Sequence, residues 1–256
     1  LAIGVLNDVD IVQDARRCEP DDRRCPLTHP TMLEPLDNNL WHARHAFSVN
    51  GVATSTHMTV VRLPGGALWL HSPIPVNTAL RAELDALGRV AFIVAPSKTH
   101  HLFAGACAAL FPDATLYGAP GLHAKRPDLV GLIELADVAG PPWAPELDHF
   151  VFGGIPFANE AVWFHRPSAT LIVTDLVQWW QGELPWPARL YARLSGVRQR
   201  LAVPHTVRAP VRDRGDARVS AERVLQWPVE RVVMAHNSLI DVDAHGALTQ
   251  ALATLR

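Results

Sequence analysis

Histidine and aspartate side chains follow three separate apolar runs of this sequence. AFIVAPSKTHH ends at His100 and His101, TLIVTD ends at Asp175, and RVVMAH ends at His236. Taken singly, each residue has an ordinary explanation, because such side chains also cap helices or form hydrogen bonds inside a core. Together they are the ligand types that bind zinc or iron at neutral pH. The pattern therefore predicts a shared metal site.

The apolar runs before these residues predict strands that are buried on both faces. Each run is short, rich in β-branched residues and bounded by polar or turn residues. Functional groups of layered α/β folds collect where such strands end. We therefore expect the three strand ends to converge.

The elements around these runs alternate between strands and helices. Pro64, Gly65 and Gly66 punctuate a hairpin between THMTVVRL and ALWLHSPI. Asn77 is a candidate N-cap of an amphipathic helix that stops at Gly88. Strand VAFIVA, helix LFAGACAALF and strand TLYG follow.

The second half of the chain repeats this order. It offers the strands HFVFGG, EAVWFH, TLIVTDLV and RVVMAH, with helices in PARLYARLSGV, ARVSAERVLQW and VDAHGALTQALATL. Two such halves, packed sheet against sheet with the helices outside, form a four-layer αββα sandwich. We expect that α/β architecture here.

Length and composition predict one soluble domain. The chain has 256 residues, of which 48% are hydrophobic and 19% are charged. Residues 1–39 are rich in charge and proline and lack periodicity, so we expect an N-terminal extension there and a domain over residues 40–256. Cys18 and Cys25 fit free thiols in a reducing compartment or a small disulfide loop in an oxidising one. We expect a cytoplasmic protein, with a removed targeting segment as the alternative because the chain opens at Leu1.

The charge pattern predicts a small-molecule partner. A formal charge of −2 is spread along the chain, so no field is expected to attract nucleic acid or anionic lipid. No apolar run approaches the roughly 18 residues of a membrane helix. We therefore expect neither nucleic acid nor membrane as a partner, and the sequence does not indicate an oligomeric state.

Five blocks of the sequence resemble an uncharacterised bacterial and plant branch of the metallo-β-lactamase-like superfamily. They are HSPIPV, APSKTHHLFAG, APGLHAKRPDL, FHRPSATLIVTDL and RVVMAH, and they reach from about Leu40 to the C-terminus. The fold of that superfamily is the αββα sandwich. The resemblance therefore implies the same fold as the order of elements.

The resemblance also implies a partly lost metal motif. Catalytic members carry T-H-x-H-x-D-H, where this chain has Pro96 and Lys98 at the first two histidine positions and His100 at the aspartate position. Near Phe157 a further histidine is missing, and His71 replaces the aspartate of the first motif. All the lost ligands belong to the first of two metal positions.

The second metal position keeps a candidate ligand at every place. The resemblance implies ligands at His100, His101, Asp175 and His236, and hence one metal ion. Zinc is favoured over iron because nothing in the sequence indicates an oxygen or redox partner. Four protein ligands would close the shell of a structural zinc, whereas a free position would admit water.

An open single-metal site predicts a hydrolase of small ester, thioester or lactone substrates. The alternative is a non-catalytic binding or assembly protein with a structural metal or none. Glu160 is a candidate general base or partner of a ligand, and equally an exposed edge carboxylate. His71 is a further ligand, an orienting residue or an ordinary buried histidine, and Lys98 binds an anionic substrate or is simply solvated.

Overall fold

Apolar runs of the chain form two β-sheets in the computed structural model, which describes residues 33–49, 52–135 and 140–256. Cys18 and Cys25 lie outside the described residues. The first sheet has seven strands in chain order, antiparallel from the first to the fourth and parallel from the fourth to the seventh. They are β1 (Glu34–Asp37), β2 (Leu40–Val49), β3 (Val52–Arg62), β4 (Ala67–His71), β5 (Arg89–Ala95), β6 (Thr115–Gly118) and β7 (Ile133–Glu134).

The second sheet has five strands in the order β12-β11-β10-β9-β8. They are β8 (Leu147–Val151), β9 (Ala161–His165), β10 (Thr170–Val173), β11 (Arg231–Met234) and β12 (Leu239–Ile240). Strands β10 and β11 run parallel, and the other neighbours are antiparallel. Every residue of β9 and β10 is buried, as their unbroken apolar runs predict.

Seven α-helices occur among the described residues, and the last is followed by a 3₁₀ turn. They are α1 (Thr78–Leu87), α2 (Ala104–Leu110), α3 (Leu122–Lys125), α4 (Trp186–Leu194), α5 (His205–Arg208), α6 (Arg214–Leu225) and α7 (Ala244–Leu252), with the turn at Ala253–Leu255. In the stretches that the structure covers, none of these helices combines the length and apolar character that a membrane span requires.

Three apolar cores hold four layers together. Leu80 and Leu84 of α1 pack with α2 on the first sheet, and α6 and α7 pack on the outer face of the second sheet. Between the sheets, the rings of Trp69 and Trp163 lie 4.7 Å apart. This arrangement confirms the predicted αββα sandwich.

Local signals in the sequence produce the predicted hairpin and helix. Residues 63–66 connect β3 to its antiparallel neighbour β4. The side chain of Asn77 accepts a hydrogen bond of 2.8 Å from the backbone N–H of Leu80, so it caps α1 as expected. Gly88 ends α1, where a Cβ atom would collide with the carbonyl oxygen of Gly66. Only glycine fits that close backbone approach.

One feature departs from the sequence-based expectations, and another excludes an ordinary explanation of Asp175. Strand β1 lies inside residues 1–39, so the sheet begins before the predicted boundary at residue 40. Its sequence EPLD lacks an apolar alternation, and pairing with β2 supplies its hydrogen bonds. The residues after Asp175 form bends and not a helix, so Asp175 is not a helix N-cap.

Candidate metal centre

Three strand ends bring His100, Asp175 and His236 to one place. Asp175 follows β10 and His236 follows its parallel neighbour β11, so both leave the same edge of the second sheet. His100 lies in the loop after β5 of the first sheet. Two backbone hydrogen bonds tie that loop to the second sheet. The N–H of Lys98 donates to the carbonyl of Ala158, and the N–H of Ala161 donates to the carbonyl of Pro96. The two sheets therefore meet at this site.

The three side chains converge through their ligand atoms. Nε2 of His100 lies 3.1 Å from Nε2 of His236 and 3.4 Å from Oδ2 of Asp175. Nε2 of His236 lies 3.4 Å from Oδ1 of Asp175. The side chains of His100, Asp175 and His236 are exposed by 8%, 19% and 15%, respectively, so the group is shielded but keeps some contact with solvent.

Hydrogen bonds on the far side of each imidazole fix its orientation. Nδ1 of His236 donates to the carbonyl oxygen of Ser55 at 2.8 Å, because a carbonyl can only accept. A neutral His236 therefore carries a lone pair on Nε2. Nδ1 of His100 lies 3.0 Å from the hydroxyl of Ser72. Both Nε2 atoms are thus aimed at Asp175.

Two neutral donors orient the carboxylate of Asp175. The hydroxyl of Thr99 donates to Oδ2 at 2.9 Å, and Nε2 of Gln178 donates to Oδ1 at 2.8 Å. The indole N–H of Trp180 in turn donates to Oε1 of Gln178 at 2.9 Å. Both of these hydrogen bonds to the carboxylate therefore come from uncharged side chains.

The site favours a charged carboxylate. Burial raises the pKa of Asp175, but the imidazoles of His100 and His236 outweigh burial and hold that pKa well below its ordinary value. Burial lowers the pKa of His236, and the carboxylate of Asp175 outweighs that effect and raises it. Asp175 therefore provides a negative charge that a cation at the site would neutralise.

Glu160 lies behind the ligand group and holds the backbone that carries Asp175. Its carboxylate accepts hydrogen bonds from the backbone N–H groups of Thr174, Asp175 and Leu176 at 2.5, 3.0 and 2.9 Å, respectively. Burial raises its pKa to about 7, and the charge of Asp175 adds to this effect. Both oxygens accept backbone N–H groups, so Glu160 lies where the predicted partner of a ligand would be, and its role as a general base stays a prediction.

His101 does not join the ligand group, in contrast to the expectation that it would be a fourth ligand. The two histidines are consecutive in an irregular loop, and their ring atoms reach different neighbours. Nδ1 of His101 lies 3.0 Å from Nη1 of Arg126, which can only donate. Nδ1 of His101 is therefore an acceptor that is already used.

The other two candidates serve the surroundings of the site. His71 is buried, stacks on Trp69 with ring centroids 5.4 Å apart, and has its pKa lowered to about 3 by burial. It is therefore a neutral histidine, outside the ligand group. Nζ of Lys98 donates to the carbonyl oxygen of Pro156 at 2.8 Å, so it joins two loops.

The residues that orient the candidate ligands carry no motif in the sequence. Thr99 precedes His100 directly and Gln178 follows Asp175 by three residues, so proximity to the predicted ligands was the only signal. Within the described parts of the chain, His100, Asp175 and His236 are the one group of three such residues whose ligand atoms all lie within 4.8 Å of one another. Three donors therefore remain of the four expected.

Known families and structures were compared with this chain, and the solved structures share its fold. A family model described as "Domain of unknown function (DUF4336)" matches residues 37–201, which include His100 and Asp175. None of the curated proteins compared with the chain matches it significantly.

Solved metallo-β-lactamases share the architecture. A metallo-β-lactamase from Pontibacter korlensis has a TM-score of 0.61 and 14% identity over 88% of this chain and 98% of its own. One from Hirschia baltica has a TM-score of 0.58 and 11% identity over 88% and 98%, respectively. TMB-1 has a TM-score of 0.61 and 13% identity over 87% of this chain and 97% of its own. Identities this low establish a common fold and leave activity open.

Proposed function

This chain belongs to the DUF4336 family of domains of unknown function, and from that premise we propose that it is a single-metal hydrolase of small ester, thioester or lactone substrates. The proposed ligands are His100, Asp175 and His236. The observation that carries the proposal is the convergence of two imidazole nitrogens and one carboxylate within 3.4 Å of one another. Such a group of acceptors is stable only with a shared proton or a cation between them.

The distances suit a metal ion. Two donors bound to tetrahedral zinc at about 2.0–2.1 Å lie about 3.3 Å apart. The three separations of 3.1, 3.4 and 3.4 Å are close to that value. Imidazole and carboxylate suit zinc and ferrous iron, and zinc is favoured because no redox partner is indicated.

The number of ligands favours catalysis over a purely structural metal. Structural zinc sites have four protein ligands, whereas catalytic sites use three and keep one position open. A zinc ion held here would act as a Lewis acid, polarising a carbonyl oxygen and making water more nucleophilic near neutral pH. His101 is withdrawn from the group by Arg126, so it leaves that fourth position free.

The residues of this chain supply orientation and charge. Thr99 and Gln178 hold the two oxygens of Asp175, and Ser55 and Ser72 hold the imidazoles. These contacts prepare the lone pairs before a ligand arrives, which reduces the cost of ordering them. A single metal cannot clamp both the attacking and the leaving oxygen, so carbonyl substrates are favoured over phosphodiesters.

One observation favours a second candidate, a non-catalytic binding protein without metal. His100 can donate from Nε2 to Nε2 of His236 at 3.1 Å if Ser72 donates to its Nδ1. Both oxygens of Asp175 would then still have their donors, Thr99 and Gln178. The polar group would be satisfied by protons alone.

Activity after metal reloading distinguishes the two candidates. Protein stripped with a chelator and then reloaded with zinc or ferrous iron is assayed on a panel of aryl esters, thioesters and lactones. We expect hydrolysis only after reloading, and none from Asp175→Ala. Asp113→Ala, which removes an exposed carboxylate elsewhere, is the control that should keep the activity. Protein that takes up no metal on reloading and hydrolyses nothing in the panel would favour the binding protein without metal.

A further inference from the structure

Helix α4 presents an apolar stripe to solvent. Trp186, Leu190 and Leu194 follow one another at intervals of four residues and are exposed by 69%, 48% and 68%, respectively. This spacing places them on one face of the helix. Ala188 and Ala192 are fully buried in a separate apolar cluster, so the helix is anchored by its other face. The three large side chains, which we call the α4 stripe, are therefore not needed to hold α4 in place.

Positive charge borders the α4 stripe. Arg189 and Arg193 are exposed, and at about 100° per residue they lie on one flank of Trp186 and Leu190. Neither arginine forms an ion pair with any other residue that the structure describes. The stripe therefore combines apolar side chains with unpaired cations.

The surrounding segment extends the positive surface. From the first residue of α4 to the last of α6 the chain carries nine arginines and three acidic residues, a formal charge of +6, so the remainder carries −8. Nδ1 of His205 donates to the carbonyl oxygen of Leu194 at 2.9 Å, which joins α5 to the end of the stripe. Arg208, at the other end of α5, is exposed. The whole-chain charge of −2 conceals this asymmetry.

We propose that the α4 stripe docks on an anionic lipid surface. A tryptophan and two leucines suit the boundary between headgroups and acyl chains, and flanking arginines pair with lipid phosphates. The helix lies on such a surface and does not span it. Because α4 has nine residues, the contact is weak and reversible.

Docking of α4 on a membrane would also bring the candidate metal centre near that membrane. Trp180 packs on Tyr191 of α4 with ring centroids 5.1 Å apart, and on His236 at 6.2 Å. One indole thus links helix α4 to the site. The proposal rests on α4 and its charges, so it holds whether or not the centre binds metal.

Vesicle binding tests this surface directly. The full chain is sedimented with vesicles of phosphatidylcholine alone, or with about one third phosphatidylglycerol, at low and high salt. We expect binding to the anionic vesicles only, weakened by salt. Acyl-brominated lipid should quench the fluorescence of the wild type more than that of Trp186→Phe, because only the wild type places an indole at the membrane.

Variants separate the apolar and the charged contributions. Leu190→Glu with Leu194→Glu should abolish binding, and Arg189→Gln with Arg193→Gln should weaken it at least about tenfold. Val130→Glu, which alters a residue 89% exposed elsewhere, is the matched control and should bind like the wild type.

Two results would overturn the proposal. One is the absence of binding to anionic vesicles, or binding that the leucine variants leave intact. The other is a dimer, measured by light scattering, that Leu190→Glu dissociates, because a second copy would then cover the stripe.

Discussion

Asp175 is oriented from two sides by uncharged donors. Thr99 and Gln178 each donate to a different oxygen, while the two imidazoles approach from the site. Neutral donors fix a ligand without cancelling its charge, so the carboxylate keeps its attraction for a cation. The orientation of Asp175 therefore depends on Thr99 and Gln178, which no sequence pattern singles out.

Replacing Thr99 by valine should weaken metal binding while leaving the fold intact. The substitution removes the donor to Oδ2 and preserves shape, so we expect the dissociation constant for zinc to rise about tenfold. Competition with a chromophoric chelator measures it. Thr99→Ser should restore affinity, and Thr249→Val, which removes a hydroxyl donor in α7, should have no effect. Equal affinity of Thr99→Val and wild type would show that Thr99 does not position Asp175.

One carboxylate, just before strand β9, holds the backbone that follows the neighbouring strand β10. Glu160 stands directly before β9, and it accepts three consecutive backbone N–H groups at the end of β10. These donors have no strand partner at that point, so the side chain replaces a missing ladder contact. The loop that carries Asp175 therefore depends on the residue that directly precedes the adjacent strand.

Glu160→Ala should destabilise this strand end. The substitution leaves three backbone N–H groups without their acceptor, so we expect the free energy of unfolding to fall by about 2 kcal/mol. Urea unfolding of chelated protein at about pH 5, below the raised Glu160 pKa of about 7, measures this loss with little contribution from burying a charge. Glu183→Ala, at an exposed site, serves as the control. Superimposable unfolding curves for Glu160→Ala and wild type would contradict this account.

The space between the two sheets holds neutral histidines. His71 ends β4 and His165 ends β9, and both are buried. Burial lowers their pKa values from 6.5 to about 3 for His71 and to about 4 for His165, where Asp37 partly opposes the effect. Below pH 6.5 the unfolded chain therefore binds more protons than the folded one. The sandwich as a whole should lose stability in acid.

The free energy of unfolding should fall as the pH decreases from 6.5 toward 4. Each buried histidine contributes up to about 1.4 kcal/mol per pH unit in that window and nothing above it. Urea unfolding of chelated protein across this range gives the slope. His165→Gln should reduce the slope by one histidine's share, and His123→Gln, at an exposed position, should not. A slope that His165→Gln does not change would contradict burial of a neutral His165.

The fold was predictable because its signals are local and repeated. Apolar runs define β5, β9, β10 and β11, and Asn77 and Gly88 bound α1. Strand β1 was missed because EPLD has no apolar face and gains its hydrogen bonds by pairing with β2. Such an edge strand forms because a partner strand is available to it. A short stretch of sequence does not show that partner.

The site was predictable only in part. His100, Asp175 and His236 stand out by residue type and by their place after strands. The choice between His100 and His101 depends on Arg126, which is distant in sequence and donates a hydrogen bond to the ring of His101. Such contacts follow from tertiary structure, so spacing alone could not decide between them.

Metal content tests the central claim most directly. Protein purified without chelator and dialysed against zinc is analysed by elemental mass spectrometry, beside His236→Ala and the exposed control His123→Ala. We expect about one equivalent of zinc in the wild type and in His123→Ala, and a loss of zinc in His236→Ala. Folded wild-type protein that holds no more zinc than His236→Ala would contradict a metal centre at His100, Asp175 and His236.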